Sequence, residues 1–215
     1  MSTAPQLEEP TSDPVDGRTA RAVRTRDRLV DATIALVEEG DLRPTAPRIA
    51  ERAGVSVRSV FQHFDDLDSL FAAMGARVVE RLAVLITPID PDAPLVERVA
   101  EFVRQRCEVA EAVSPINRAA ILQAPRSTTI GRQFASGHGF VAALTAEVFE
   151  PELEAAGEHR AALLDGLVVA GSWPTWNLLR TLEHRSVHEA TASVQALFAL
   201  LLGLDARVSS HRPVS

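Results

Sequence analysis

Apolar residues recur at helical spacing along nearly the whole chain, and no stretch shows the strict alternation of a strand. From Thr19 to Glu39 two interleaved rows, Val23, Val30, Ile34, Val37 and Leu29, Ala32, Leu36, predict a first helix, and Gly40 stands where a left-handed cap is wanted. Thr45 caps a predicted short helix to Ala53 with Pro47 in its first turn, Gly54-Val55-Ser56 makes a tight turn, and Ser56 caps a third helix to His63. A long fourth helix is expected from Asp66 until Pro88 and Pro91 stop it, which marks a hinge region. Further helices are predicted from about Ala93 to Ala112, from Pro115 to Gln123 and from Ser127 to Phe149. Two very apolar ones follow, at Glu158 to Leu182 and Ser186 to Leu202. The expectation is an all-α protein of about nine helices.

Organisation follows from where this periodicity starts. Residues 1–17 carry Pro5, Pro10 and Pro14 among polar residues and too little apolar surface to order themselves, so they are expected to be a disordered tail. Residues 18–65 then form a three-helix unit, and 66–208 a larger helical domain. The hydrophobic share of 46% is ample for packed cores in both. The single cysteine, Cys107, cannot form an internal disulfide and is expected to be a small core residue in a reducing cytoplasm. The N-terminus lacks an apolar signal core, and Asp165 and Pro174 interrupt the most apolar stretch, so neither secretion nor membrane insertion is expected.

Charge changes this picture more than composition does. The net charge is −7, yet residues 18–60 carry nine Arg against six acids while both flanks are acidic. A basic segment within an acidic protein is the footprint of a localised polyanion-binding surface, as well as of an ordinary solvated face. The residues themselves separate the two. Residues 45–64 read Thr-Ala-Pro-Arg-Ile-Ala-Glu-Arg-Ala-Gly-Val-Ser-Val-Arg-Ser-Val-Phe-Gln-His-Phe, two helices joined by a three-residue glycine turn, which is helix-turn-helix spacing. Ile49, Ala50 and Ala53 must pack against Val55, Val60 and Phe64. That leaves Val57, Arg58, Ser59, Phe61, Gln62 and His63 outward, where a plain helical hairpin would have no use for them. No G-x-S-x-G elbow, phosphate-cradling glycine loop, H-E-x-x-H or acidic metal cluster is present, so enzymatic readings have no footing, and no metal or cofactor is expected.

Residues 24–71 resemble the DNA-binding domain of the TetR family of transcriptional regulators. The matching positions are Arg26, Leu29, Val30, Ala32, Leu36, Val37 and Gly40, then Thr45, Ile49-Ala50, Ala53-Gly54-Val55-Ser56, His63-Phe64 and Leu70-Phe71. Two positions depart from it: Phe61 stands where the family usually has a tyrosine that reaches a phosphate, and Leu67 where it often has a lysine. The resemblance implies that Arg24, Thr45, Pro47, Val57, Arg58, Ser59, Phe61, Gln62 and His63 meet double-stranded DNA, with Arg24, Thr45, His63 and helix N-termini holding the backbone. It also implies a repressor that binds a palindromic operator as a homodimer and is released by a small, largely apolar effector. The stretch Ser172-Trp173-Pro174-Thr175-Trp176-Asn177-Leu178-Leu179-Arg180 with the helix after it looks like the pair of helices that joins two subunits in many members. For the effector, Phe102, Arg106, Ile121, Phe134, His138, Trp173 and Asn177 are candidate lining residues. Local hydrogen bonding or solvent exposure accounts equally for Arg106 and His138, and core packing for Trp173. A DNA-binding protein without an effector remains the competing reading, and an apolar pocket would separate the two.

Overall fold

The structure, a computed structural model, describes residues 14–204, with side chains from Gly17 onward. Most of the expected tail and the end of the chain beyond 204, including the expected domain end at 208, lie outside the described residues. Ten α-helices and no strands appear among those described: α1 (Pro14–Glu38), α2 (Ala46–Ala53), α3 (Val57–His63), α4 (Leu67–Leu82), α5 (Leu95–Gln123), α6 (Thr128–Val148), α7 (Glu150–Ala155), α8 (Arg160–Ala170), α9 (Trp173–Asn177) and α10 (Val187–Leu201). Helix α1 thus begins at Pro14, inside the stretch expected to be a tail. The helix limits follow the local chemistry. Gly40 and Gly54 close α1 and α2 in the left-handed conformation that costs glycine least. Asp66 and Ser69 form a reciprocal capping box at α4, as do Ser186 and Glu189 at α10.

Three boundaries differ from the periodicity, each for a visible reason. Pro115 lies inside α5 rather than opening a new helix. Its ring removes the bond to the carbonyl of Glu111, but side chains tie the turn before it to α9 and the π-helical turn after α9. Ser114 Oγ accepts from Trp173 Nε1 at 2.9 Å, and the Glu111 carboxylate accepts from Trp176 Nε1 at 2.7 Å and from Arg180. The predicted helix over 158–182 is broken instead at Gly171, where Ser172 caps α9 by accepting from the Thr175 N–H. Helix α9 runs on as a π-helical turn over Leu178–Leu182 and stops at His184, a non-glycine residue with φ of 53°. Helix α4 ends at Leu82 in a 3-10 turn, Ala83–Leu85, short of the prolines.

The apolar faces bury themselves in two cores. One gathers α1 to α4 around Leu29, Ile34, Val37, Ile49, Val60 and Leu70, and it takes in Ile116 and Ala119 of α5 and Ile130 of α6. The other is built on α5, α8, α9 and α10 around Phe102, Phe149, Leu167, Trp176 and Phe198. Helices α5 and α6 contribute to both. The first core therefore extends beyond the three-helix unit read from the sequence, because Leu70, Phe71, Met74 and Val78 of α4 are buried in it. No helix among the described residues is long and apolar enough to cross a membrane.

Candidate nucleic-acid interface

Helices α2 and α3 are held at a fixed angle by burial on one side only. Ile49, Ala50 and Ala53 of α2 and Val60 and Phe64 at α3 enter the core. The Gly54 N–H closes on the carbonyls of Ala50 and Glu51, so the chain reverses within three residues. Ser56 caps α3, accepting from Ser59 N at 3.2 Å, and the two hydroxyls lie 2.9 Å apart. What remains outward on α3 is Val57, Arg58, Phe61 and Gln62, all exposed and one helical turn apart in pairs. Phe61 is 53% exposed, a ring held in water that a monomer gains nothing by presenting. Ser59 and His63 are half-buried beside this face, and Thr45 and Pro47 are exposed at the start of α2.

Helix α1 supplies the positive charge. Arg18, Arg21, Arg24 and Arg28 follow one another at spacings of three and four, and so share a face. None of the four has a carboxylate partner among the described residues, whereas Arg48 and Arg52 of α2 are neutralised by Asp41 at 2.6 Å and Glu39 at 2.5 Å. Arg18, Arg21 and Arg28 border an open recess whose other wall is Gly54, Val55, Ser59 and His63, so unpaired cations and the reading helix face one hollow. A further tie fixes α1 against α3: Arg26 donates to the His63 carbonyl at 2.9 Å, and its guanidinium lies 4.1 Å above the Phe64 ring. Sequence reasoning named only Arg24 of the α1 cations. The spacing of Arg18, Arg21 and Arg28 was the signal that could have added them.

The seven residues proposed to line an effector pocket have different surroundings. Phe102 is buried in an aromatic cluster, 5.1 Å from Phe149 and 5.5 Å from Phe198 between ring centroids. Trp173 is buried and meets the half-buried Phe134 edge-on at 6.4 Å. Asn177 Oδ1 accepts from Arg118 Nε at 3.1 Å and from the Thr181 hydroxyl. Ile121 and His138 are exposed, and Arg106 is buried. Among the described residues no group of acidic, histidine and cysteine side chains could hold a metal ion.

Comparison with known proteins finds likenesses to this arrangement. Residues 29–74 match the model of bacterial regulatory proteins of the tetR family. No curated protein matches the chain. Among solved structures it is similar to a putative TetR-family transcriptional regulator from Mesorhizobium loti, with a TM-score of 0.60, 20% identity and coverage of 86% of this chain and 98% of that one. It is similar also to a TetR transcription regulator from Haloarcula marismortui, with a TM-score of 0.63, 19% identity and coverage of 85% and 98%. A third similar structure is the multidrug binding protein EbrR complexed with imidazole, at a TM-score of 0.56, 23% identity and coverage of 81% and 89%. At these identities the structural likeness is one of fold. The family match falls on the helix-turn-helix itself, so it is residues 29–74 that are similar to the DNA-binding segment of the tetR-family regulators.

Proposed function

We propose that the protein is a cytoplasmic repressor that binds a palindromic operator as a homodimer and leaves it when a small, largely apolar effector binds the C-terminal core. The observation that carries the DNA reading is the recess in which the unpaired Arg18, Arg21 and Arg28 of α1 face Ser59 and His63 of α3, beside the exposed face of that helix. On this reading Val57, Arg58, Phe61 and Gln62 enter the major groove, while Arg24, Thr45 and His63 hold phosphates. Arg58 is the one arginine of α3 and sits in its first turn, free of ion pairs among the described residues. Its planar fork matches guanine O6 and N7. Phe61, with no hydroxyl, offers apolar contact to a thymine methyl.

Association through α8 to α10 is supported by the apolar side chains that one subunit leaves in water there: Val169, Leu178, Leu182 and Leu200 are each 46% exposed or more. An effector is supported by the aromatic side chains of the second core and, by analogy of fold, by the ligand-bound EbrR. Footprinting on the DNA upstream of the protein's own gene tests the operator. A protected palindrome is expected, and its absence there would count against self-regulation. Binding-site selection with Arg58→Ala should lose preference at one symmetric position per half-site. Arg24→Ala should instead weaken all sequences alike and flatten the salt dependence by about one unit of slope. An unchanged sequence preference in Arg58→Ala rules out base reading by that residue.

A further inference from the structure

Helix α5 carries two buried arginines two turns apart, and the fold treats them differently. Arg98, 5% exposed, donates to the Glu152 carboxylate at 2.6 and 3.0 Å, to the Val148 carbonyl at 2.7 Å and to the Ala93 carbonyl at 3.0 Å. Arg106 is 6% exposed, and its Nε is buried with no acceptor. No carboxylate or carbonyl among the described residues pairs with its guanidinium. A guanidinium carries five donors and cannot shed its charge at neutral pH. Leaving it buried without an anion is therefore among the least favourable arrangements a core can hold. Burial pushes Arg106 below its ordinary pKa, opposed only by the neighbouring Cys107 thiol.

The surroundings of Arg106 say what the missing group must be attached to. Arg98 ties α5 to the end of α6 at Val148, and Trp173 joins Ser114 of α5 to Phe134 near the start of α6. Along α5, residue 106 falls midway between the residues that make these ties, 98 and 114. Between the same ties all six residues of α6 from Ala135 to Phe140 are exposed, and nothing stands within 4 Å of where a side chain at Gly137 or Gly139 would begin. One turn before Arg106 on the same face is Phe102 with its aromatic cluster, and towards the other tie are Phe134 and Trp173.

We infer that Arg106 anchors the carboxylate head of an amphipathic organic acid, whose apolar body lies between α5 and α6 towards Phe134 and Trp173. This rests on the effector reading above and names the chemical class of that effector. A carboxylate matches the guanidinium in a bidentate pair, and such charge-assisted bonds are the strong ones.

The test compares hexanoate, octanoate, decanoate and dodecanoate with their primary amides, which keep the shape and lose the charge, by calorimetric titration of the full-length protein. Carboxylates should bind about tenfold tighter than the matching amides or better. Arg106→Met should abolish that preference, and by removing an unpaired buried cation it should leave the melting temperature of the free protein unchanged or raised. The inference is overturned if no carboxylate outbinds its amide on the native protein, a comparison that needs no variant. It is also overturned if the preference survives in Arg106→Met. Operator release is measured in parallel. A carboxylate held by Arg106 that leaves the operator bound upholds the anion site and refutes effector-driven release, whereas release by a neutral ligand with no preference for acids refutes the anion site alone.

Discussion

Replacing Arg98 by Met tests how the second core tolerates charge. The substitution keeps an unbranched apolar stem and removes four hydrogen bonds, two of them to a Glu152 side chain that is only 11% exposed. What remains is a nearly buried carboxylate with no cation, together with the Ala93 and Val148 carbonyls that lose their donor. Breaking one side of a buried pair costs about 3–5 kcal/mol, and the low end applies here because Glu152 can draw water at its edge. For a chain of this size about 3 kcal/mol corresponds to a fall of roughly 6–12 °C in Tm. Arg98→Met with Glu152→Leu should recover to within about 1 kcal/mol of the native protein, since an apolar pair of similar volume carries no desolvation penalty. Urea unfolding read by tryptophan fluorescence and by far-ultraviolet circular dichroism measures both, with Trp173 and Trp176 reporting on the core that holds the pair. The reasoning fails if Arg98→Met loses less than about 1 kcal/mol, or if the double variant is no more stable than the single one.

Three further outcomes are expected. Leu200→Glu should give monomers by sedimentation with lost operator binding; Leu200 is 66% exposed, whereas Leu201 already packs over Gly166 and is the poorer target, and a dimeric Leu200→Glu would place the interface elsewhere. Cys107, whose thiol burial pushes up to about 11, should resist a thiol reagent at pH 8 in the folded protein and react at once in denaturant, so rapid native labelling would contradict its burial. Gly75→Ala should be near neutral, because a helix propensity gain of about 1 kcal/mol is offset by displacing the Gln133 side chain, 2.8 Å from the new Cβ, from its bond to the Ala72 carbonyl. In a Gln133→Ala background the same change should stabilise by the full amount, and equal effects in both backgrounds would show that the contact carries nothing.

The N-terminal helices were legible because their limits are set by nearby residues. Gly40, Gly54, Ser56 and Asp66 each act within a few positions of themselves, and the rows of Leu29, Val37, Ile49 and Val60 have one core to face. Residues on α3 could be sorted into inward and outward for the same reason. The C-terminal half was less legible because distant contacts override local signals. Pro115 reads as a helix start, yet Trp173, Trp176 and Arg180, more than fifty residues later, hold α5 straight through it. Arg106 and Arg98 are indistinguishable in sequence, since only the fold decides which of them meets Glu152. Phe102 and Trp173 were grouped as lining residues by their apolar stripes, but a stripe cannot say whether it faces a cavity or another ring.

The route by which an effector beside Arg106 would act on DNA is set by what α4 is fastened to. Arg77 reaches Asp27 at 2.5 Å and Asp31 at 3.4 Å, and Arg81 reaches Asp31 at 2.6 Å, so the C-terminal half of α4 is clamped to α1. Its N-terminal half buries Leu70, Phe71 and Met74 in the core that holds α2 and α3. Helix α4 therefore moves with the DNA-reading unit rather than against it. Beyond it, residues 83–94 contain one short 3-10 turn and no α-helix, and Gln105 of α5 holds this segment at the backbone and hydroxyl of Thr87. The contact able to push is α6, through Ile130 in the shared core and Gln133 on the Ala72 carbonyl. A ligand bound between α5 and α6 would shift that contact and carry α1 to α4 as one body. In a dimer, small rotations of two such bodies change the separation of the two α3 helices, and it is that separation the operator measures.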